Sequence, residues 1–505
     1  MKNTILGVAL YFAFAPWAAS QGTPNRTNDP LQGLLAQMQE LGLALNDMRD
    51  QLAVSRQESL QLRQELEIMR QQLDVIRNTP GTQAAGNPKS QGDQEPQRND
   101  RLSALTEEQQ LLNAKVEDQY QTKIESGSKY RVRLSGLALM NVFSTRGAVD
   151  SLDLPRVALS RKPGDSNGSF AASARQSRFN LEVFGPEWNG AKTTGDMSFD
   201  FWGGFPSTSE GVASGLVRLR TAKLTLESAN TSVVAGQDVP FFSPRSPTSL
   251  ASSAYPPLSS AGNLWTWTPQ VHVEHRFALS DNDKFSVQGG ILDPFTGELP
   301  AEYDRIPTAG ERSRVPAYAM RLGWQRAGRD HVAAAGAGAY YSRQNWGFGR
   351  TVDAWAATTD WDLPFGKDFS LSGEFYRGRA IGGLGAGASA SVLFKGSSLV
   401  PTSTVLALNS IGGWSQLKFK PVERMEFNVA FGEDQPFRPG LGRFLTQRAI
   451  EGSPLSRNAN GFFNVIYQAR SNLLFSVEYR RLWTSGFYDP RQIANHVSIT
   501  SGIVF

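Results

Sequence analysis

The chain has 505 residues, with 51 Lys plus Arg against 47 Asp plus Glu, no cysteine and four histidines. Without cysteine there is no thiolate nucleophile, no Cys-ligated metal, no disulfide and no lipidated N-terminal cysteine. With 19% charged and 10% aromatic residues it is too apolar for a disordered chain, and its charge is divided: 11 basic and 16 acidic residues lie between Gln21 and Ser128, against 39 and 31 (a net of +8) from Lys129 onward.

The first element is an export signal. Lys2 is followed by an apolar run, Ile5 to Phe14, and Ala18-Ala19-Ser20 offers small residues for cleavage. Residues 1–20 are therefore expected to be removed. No later stretch reaches the 18 consecutive apolar residues of a membrane-spanning helix.

Residues 21–77 carry heptads. Leu31, Met38, Leu45, Leu52, Ser59, Leu66 and Leu73 occupy one seam position, and Leu34, Leu41, Met48, Ser55, Leu62, Met69 and Ile76 the other. Twelve of these fourteen are apolar, which predicts a coiled coil roughly 70 Å long. The heptads alone do not separate dimer from trimer. Residues 78–100 form a breaker-rich linker, and Leu102, Leu105, Leu112 and Val116 mark a second, shorter helical segment over 101–128.

From Lys129 the period changes to two. Val132, Leu134 and Met140 alternate with Arg131, Arg133 and Ser135; Met425, Phe427 and Val429 alternate with Glu426 and Asn428; Phe475, Val477 and Tyr479 alternate with Ser476, Glu478 and Arg480. Sixteen such segments can be drawn, joined alternately by short turns and by long connections near 144–173, 239–263, 293–313, 381–409 and 434–457. Loops sorted by length onto two rims are expected of an outer-membrane barrel, with the short turns periplasmic. The predicted fold is an all-β transmembrane barrel of about 16 antiparallel strands over 129–505, preceded by an N-terminal periplasmic α-helical coiled coil. The last strand alternates up to Phe505, similar to the assembly signal of outer-membrane barrels, which implies the barrel assembly machinery as a partner.

Six stretches, SRFNLEVFG (177–185), LVRLRTAKLTL (216–226), VVAGQDVPFF (233–242), TPQVHVEHRF (268–277), GGWSQLKFK (412–420) and NVIYQARSNLLFSVEYRRLWTSG (464–486), resemble the DcaP-like family of trimeric outer-membrane porins. The resemblance implies a sixteen-stranded barrel, a homotrimer, an N-terminal periplasmic coiled coil and diffusion of small anionic solutes such as dicarboxylates. The loop after VVAGQDVPFF folds inward in such porins.

Strand parity turns Arg131, Arg133, Arg178, Arg218, Arg220, Arg276, Arg321, Lys418 and Arg480 toward the lumen, with Glu182, Asp196, Asp200, Glu274, Glu374, Glu426 and Glu478 beside them. Nine basic positions against seven acidic lean toward anions; the alternative is a wall of ion pairs with no role in selection. Lys223 and Arg377 break the phase and are expected near a rim or a subunit contact. Loop 239–263, with five prolines, is expected to constrict the lumen, Phe241 and Phe242 wedging its base and Arg245 reaching the axis. An external lid or a subunit latch are the alternatives.

An enzyme is not expected. His272 and His275 fall on opposite faces of one strand, His331 and His496 are isolated, and no nucleophile elbow, zinc or phosphate-loop motif is present. No catalytic residue, metal, cofactor or nucleic-acid partner is assigned. The expected neighbours are further copies of the chain, outer-membrane lipid and lipopolysaccharide, and peptidoglycan near the N-terminal segment. The rival functions are a sugar-specific or general porin with little charge preference, and a tether between outer membrane and cell wall.

Overall fold

A computed structural model describes residues 131–205, 215–298, 305–328, 331–387, 390–437, 441, 444 and 455–505. Among the described residues sixteen strands form the barrel in chain order, and two short pairs, Ala148–Val149 with Ala158–Leu159 and Val392–Lys395 with Thr404–Ala407, stand apart from it. The barrel strands are β1 (Val132–Arg146), β2 in two pieces (Gly168–Ser173 and Arg178–Phe184), β3 (Lys192–Asp200), β4 (Arg218–Glu227), β5 (Thr231–Asp238) and β6 (Thr268–Ala278). Next come β7 (Asp283–Leu292), β8 (Ala317–Ala327), β9 (Val332–Asn345), β10 (Thr351–Phe365) and β11 (Phe369–Arg379). The last are β12 (Asn409–Val422), β13 (Met425–Pro436), β14 (Leu455–Arg470), β15 (Leu473–Gly486) and β16 (Gln492–Val504). Each pairs antiparallel with the next, and β16 returns to β1 from Leu137↔Val504 to Arg146↔Asn495, so the sheet has no edge. In hydrocarbon that closure is what satisfies the backbone, since an unpaired amide there costs several kcal/mol.

Alternation sets which side of each strand meets lipid. On β15, Phe475, Val477 and Tyr479 are exposed outward while Ser476, Glu478 and Arg480 are buried inside. On β16, Val497, Ile499 and Ile503 point out and His496, Ser498 and Thr500 point in. The closing residue is anchored: Gly136 N donates to Phe505 O at 2.7 Å, Phe505 N donates back at 3.1 Å, and the Phe505 ring lies 5.8 Å from that of Phe179. That ring covers Gly136, where any side chain would collide with it.

Two irregularities alter what faces the lumen. β2 breaks at 174–177, leaving Gln176 fully buried and pointing inward. In β4 the pairing with β3 steps from Ser198↔Thr221 to Phe199↔Leu219, so Arg220 is an extra residue and the phase reverses. Lys223, which simple alternation puts on the wrong face, is thereby turned inward, where its Nζ lies 2.6 Å from Asp238. Arg377 stays outward near the long-loop rim, its guanidinium 5.2 Å from the Phe437 ring.

The expected architecture is corrected in one respect. Among the described residues the helices are three single 3-10 turns and the helical residues Leu441 and Phe444, so the described fold is a barrel alone, and the expected fold class of a barrel preceded by a helical coiled coil is corrected to that. The periplasmic placement of such a segment is withdrawn with it. The export signal, the heptads of 21–77, the linker 78–100 and the segment 101–128 lie outside the described residues.

The core of the fold lies inside the barrel. The connection 239–267 leaves β5, crosses the interior and returns to β6. Phe241, Phe242 and Leu264 pack against Leu292, Tyr340, Ala356 and Tyr376 of the wall, and Leu258 packs on Trp414, Ala430 and Phe462. Gly262 has φ +97°, and a side chain there would strike the carbonyls of Gly413 and Glu433, so glycine is what lets the loop lie flat on β12 and β13.

Candidate solute path

The inner wall is polar because alternate residues of every strand face it, and the loop 239–267 is held to it by side chains from both halves of the barrel. Near the base of the loop, Arg245 Nε donates to Asp360 Oδ1 at 2.7 Å and its Nη1 lies 3.2 Å from Asp362. Farther on, Thr248 N donates to Gln416 Oε1 at 2.6 Å, Asn464 Nδ2 donates to Thr248 O at 3.0 Å, and the Ser249 hydroxyl donates to Glu478. At the loop's far reach Gln176 accepts from the amides of Ser253 and Ala254 and donates to Ala251 O at 3.0 Å. Arg220 Nη1 donates to Ser253 O at 2.8 Å and Arg218 Nη2 to Ala254 O at 3.0 Å. On the return, Asn458 Nδ2 donates to Ser260 O at 2.7 Å. These anchors come from the break in β2 and from β4, β10, β12, β14 and β15.

The nine basic positions fall into three groups. Arg131 and Arg133 sit at the short-turn mouth, 4.1 and 5.4 Å from the Phe184 ring, with Arg133 3.5 Å from Glu182. Arg178, Arg218 and Arg220 surround the buried Asp200. Arg218 binds it through two nitrogens at 3.1 and 2.6 Å, and Arg220 stands 3.8 Å away. Arg178 is the pairing neighbour of Asp200 on β3, and its Nε is buried without a hydrogen bond. Arg276, Arg321, Lys418 and Arg480 are each matched: Arg276 to Glu227 and Glu274, Arg321 to Asp360 at 2.8 Å, Lys418 to Glu426 at 3.1 Å and Arg480 to Glu478 at 2.7 Å. Seven of the nine thus stand in ion pairs, which removes most of the uncompensated positive field that a residue count suggests.

Of the three loop residues, Phe241 and Phe242 lie against the wall at the loop's base, and Arg245 is the one placed elsewhere than expected. Phe241 stacks on His272 at 4.5 Å between centroids and Phe242 on Tyr340 at 5.3 Å. Arg245 is turned to the wall, between Asp360 and Asp362, and not to the channel axis.

Two features went unread in the sequence. One is an amide ladder, Asn458, Asn460 and Asn464 with Gln416 and Asn428. Asn428 Nδ2 donates to Asn464 Oδ1 at 2.9 Å, and Gln416 Nε2 donates to Asn428 Oδ1 at 3.1 Å. The period-two spacing of the asparagines on β14 was the available signal. The other is an aromatic group, Trp202, Tyr255, Trp265 and Trp267, with centroid separations of 4.8 to 6.3 Å. Arg218 lies 4.8 Å from both the Tyr255 and Trp267 rings. No periodicity could have found it, because three of its members come from the loop.

Comparison with protein-family models and with curated sequences gave no match to the chain. Among solved structures, the outer membrane channel DcaP of Acinetobacter baumannii superposes with a TM-score of 0.54 at 16% identity, over 75% of this chain and 99% of that one. The likeness is one of fold: both chains form a closed antiparallel barrel of the kind seen in that outer membrane channel. Pseudomonas putida OprB (TM-score 0.44, 10% identity, 74% of this chain and 94% of that one) and Salmonella typhi OmpF (0.42, 12%, 74% and 98%) are more distant. Among the described residues no group of three or more His, Asp or Glu is arranged to hold a metal ion.

On the long-loop side, Asp293 follows β7. Burial and the nearby Glu311 carboxylate push its pKa up to about 6, against the opposing pull of Arg305, which donates to it at 3.1 Å. Glu311 is also raised by burial, but donors from Thr308 and Arg305 outweigh this and hold it below its usual value. A raised carboxyl favours the folded loop fully below its ordinary pKa of 3.8, and that contribution is lost as pH rises through about 6. Amide exchange across 305–314, corrected for intrinsic rate, should therefore be slower at pH 5 than at pH 7.5. Asp293→Asn should flatten this dependence; a wild-type loop equally protected at both pH values would exclude it.

Proposed function

We propose that the chain is a diffusion porin of the outer membrane, passing small polar solutes through the barrel past the inward-folded loop, with little preference for charge. The observation that supports this most is the closed barrel whose inner wall carries opposite charges in close pairs around that loop. Such a wall wets the path without focusing one sign of ion. The similar Acinetobacter baumannii protein is described as an outer membrane channel, and the reading extends that description to this chain. The nine basic residues line the path mainly as members of ion pairs, and the loop, seated by Phe241, Phe242 and Arg245, is its constriction. The porin is proposed to work as a homo-oligomer, with the long-loop half of the outer face of β2 to β8, which carries no charged residue among those described, as its contact. Its solute is not confined to anions.

Purified protein in planar bilayers under asymmetric potassium chloride should give discrete channels with a reversal potential near zero. Absence of channels would sink the porin reading, and a strongly displaced potential would restore anion or cation selection. Replacing Arg218 and Arg220 together by Gln should shift the potential toward cations, because Asp200 keeps its charge in the lumen. The shift should be largest at low salt, where screening is weakest. It should come with noisier currents, since the same change releases the carbonyls of Ser253 and Ala254.

The aromatic group favours a second reading. Four rings gathered inside the barrel are a surface on which sugar rings can stack, and a sugar-preferring pore would show current block by oligosaccharides that is weakened in Trp267→Ala.

A further inference from the structure

The outer wall is asymmetric in charge. On its long-loop half, the outward positions of β2 to β8 carry no charged residue among those described: Phe170, Leu219, Gln237, Pro269, Ile291 and Tyr318 occupy them. Across β9 to β16 and β1, the same level presents Arg343, Arg377, Arg379, Arg457, Arg481 and Arg146, against only Asp353 and Glu433. Arg343 is 3.2 Å from Asp353 and Arg457 is 2.6 Å from Glu433. Neither Arg377 nor Arg379 has a carboxylate within 4 Å among the described residues; Arg377 lies over the Phe437 ring, and Arg379 is near enough to Asp353 to share its field with Arg343.

A groove lies just below Arg377 on the same face. Its volume is about 380 Å³, and it exists because β12 presents Gly413 and Ser415 outward between the larger side chains Phe375 and Trp361 on one flank and Phe431 on the other. Ile411, the residue of β12 opposite Arg377, closes its upper end. Arg377 stands eight residues above Phe369, which belongs to the aromatic band at the short-turn rim. At about 3.3 Å per residue and a tilt of about 40°, that is roughly 20 Å of height. The guanidinium therefore sits at the upper margin of the apolar belt, with the groove within it.

We propose that this surface of β11 to β13 is a binding site for a phosphorylated, acylated glycolipid of the outer leaflet, with one acyl chain in the groove over Gly413 and Ser415 and a phosphate on Arg377 and Arg379. The site rests on the outer-membrane reading above. A slot walled mainly by Phe375, Trp361, Ile411 and Phe431, with Glu433 and Gln435 among its lining, takes a chain, and two guanidiniums at its head with no carboxylate within 4 Å take an anion through paired N–H donors. The charge-free arc of β2 to β8 has no such head, which suits a face covered by another subunit.

The test is saturable binding of hexa-acylated lipid A to the purified full chain in detergent, read by native mass spectrometry. Arg377→Gln with Arg379→Gln should weaken binding about tenfold, and Ser415→Trp, which fills the groove from an exposed position, should do so by a similar factor. Monophosphoryl lipid A should bind the wild type more weakly and be insensitive to the arginine change, which couples the phosphate to those residues. Wild-type protein that conducts in bilayers yet shows no saturable lipid A binding would overturn the site and leave the porin reading standing. Loss of binding in the arginine variant but not in Ser415→Trp would overturn the groove, as would equal binding of phosphatidylglycerol. The chain has no cysteine, so Ser415→Cys is a unique thiol. Its cross-linking to a second subunit would place protein on this face and overturn the proposal.

Discussion

Excising residues 247–262 and joining Ser246 to Asn263 through two glycines is expected to leave a folded barrel whose single-channel conductance is roughly doubled. The cut is placed where the loop is already pinched, since Asn263 Nδ2 donates to Ser246 Oγ at 3.1 Å. The seat of the loop is retained, because Phe242 and Leu264 remain packed on the wall and Ser243 keeps its bonds to Glu374 and Leu264 O. The wall groups that lose partners, among them Gln176, Gln416, Asn464 and Arg480, face the lumen and exchange a loop contact for water. The barrel then loses an obstruction without acquiring unsatisfied polar atoms. An external lid would leave open-channel conductance unchanged on excision, and a subunit latch would show as weakened oligomers on a native gel. Either result would remove the loop from the solute path.

Asp360→Ala should be the most destabilising single change on the inner wall. Asp360 is 3% exposed and accepts from Arg321 Nε at 3.1 Å and Nη2 at 2.8 and 2.9 Å, and from Arg245 at 2.7 Å. Its removal leaves the largely buried Arg321 guanidinium without its carboxylate and beside Arg245, which keeps Asp362. Breaking a buried pair from one side costs about 3–5 kcal/mol, and the lower end is expected here because the lumen can admit water. Arg245→Ala should cost only about 1–3 kcal/mol, since Asp360 keeps its bonds to Arg321 and only the loop is freed. Urea unfolding in lipid vesicles, followed by the loss of the compact gel band, ranks the two. If Asp360→Ala unfolds no more easily than Arg245→Ala, the wall pair holds the loop but not the barrel.

The nine basic ladder residues show what alternation can and cannot report. Parity depends only on the local backbone, so it assigns Arg480 and Glu478 to one face from five consecutive residues of β15. It fails at Lys223 because the reversal of phase is caused by one extra residue, Arg220, and a bulge is defined by the partner strand. Selectivity was less legible still. Nine basic against seven acidic positions suggest an excess, whereas the distances put seven of the nine against carboxylates, and only register across strands brings Asp200 between Arg178 and Arg218.

The strand alternation, the two loop-length classes and the closing Phe505 were determined by the sequence itself, because a membrane barrel imposes its period residue by residue and lipid punishes each exception. The course of 239–267 was decided only by the tertiary structure. Its prolines and aromatics are compatible with a lid, a latch or an inward fold, and the choice is made by distant partners: Gln176 in the break of β2, Asp360 on β10, Gly413 on β12 and Asn458 on β14. The groove on the outer wall is of the same kind. Gly413 and Ser415 are two small residues among many until Phe375 and Phe431 arrive beside them from neighbouring strands, since a hollow is made by what surrounds it.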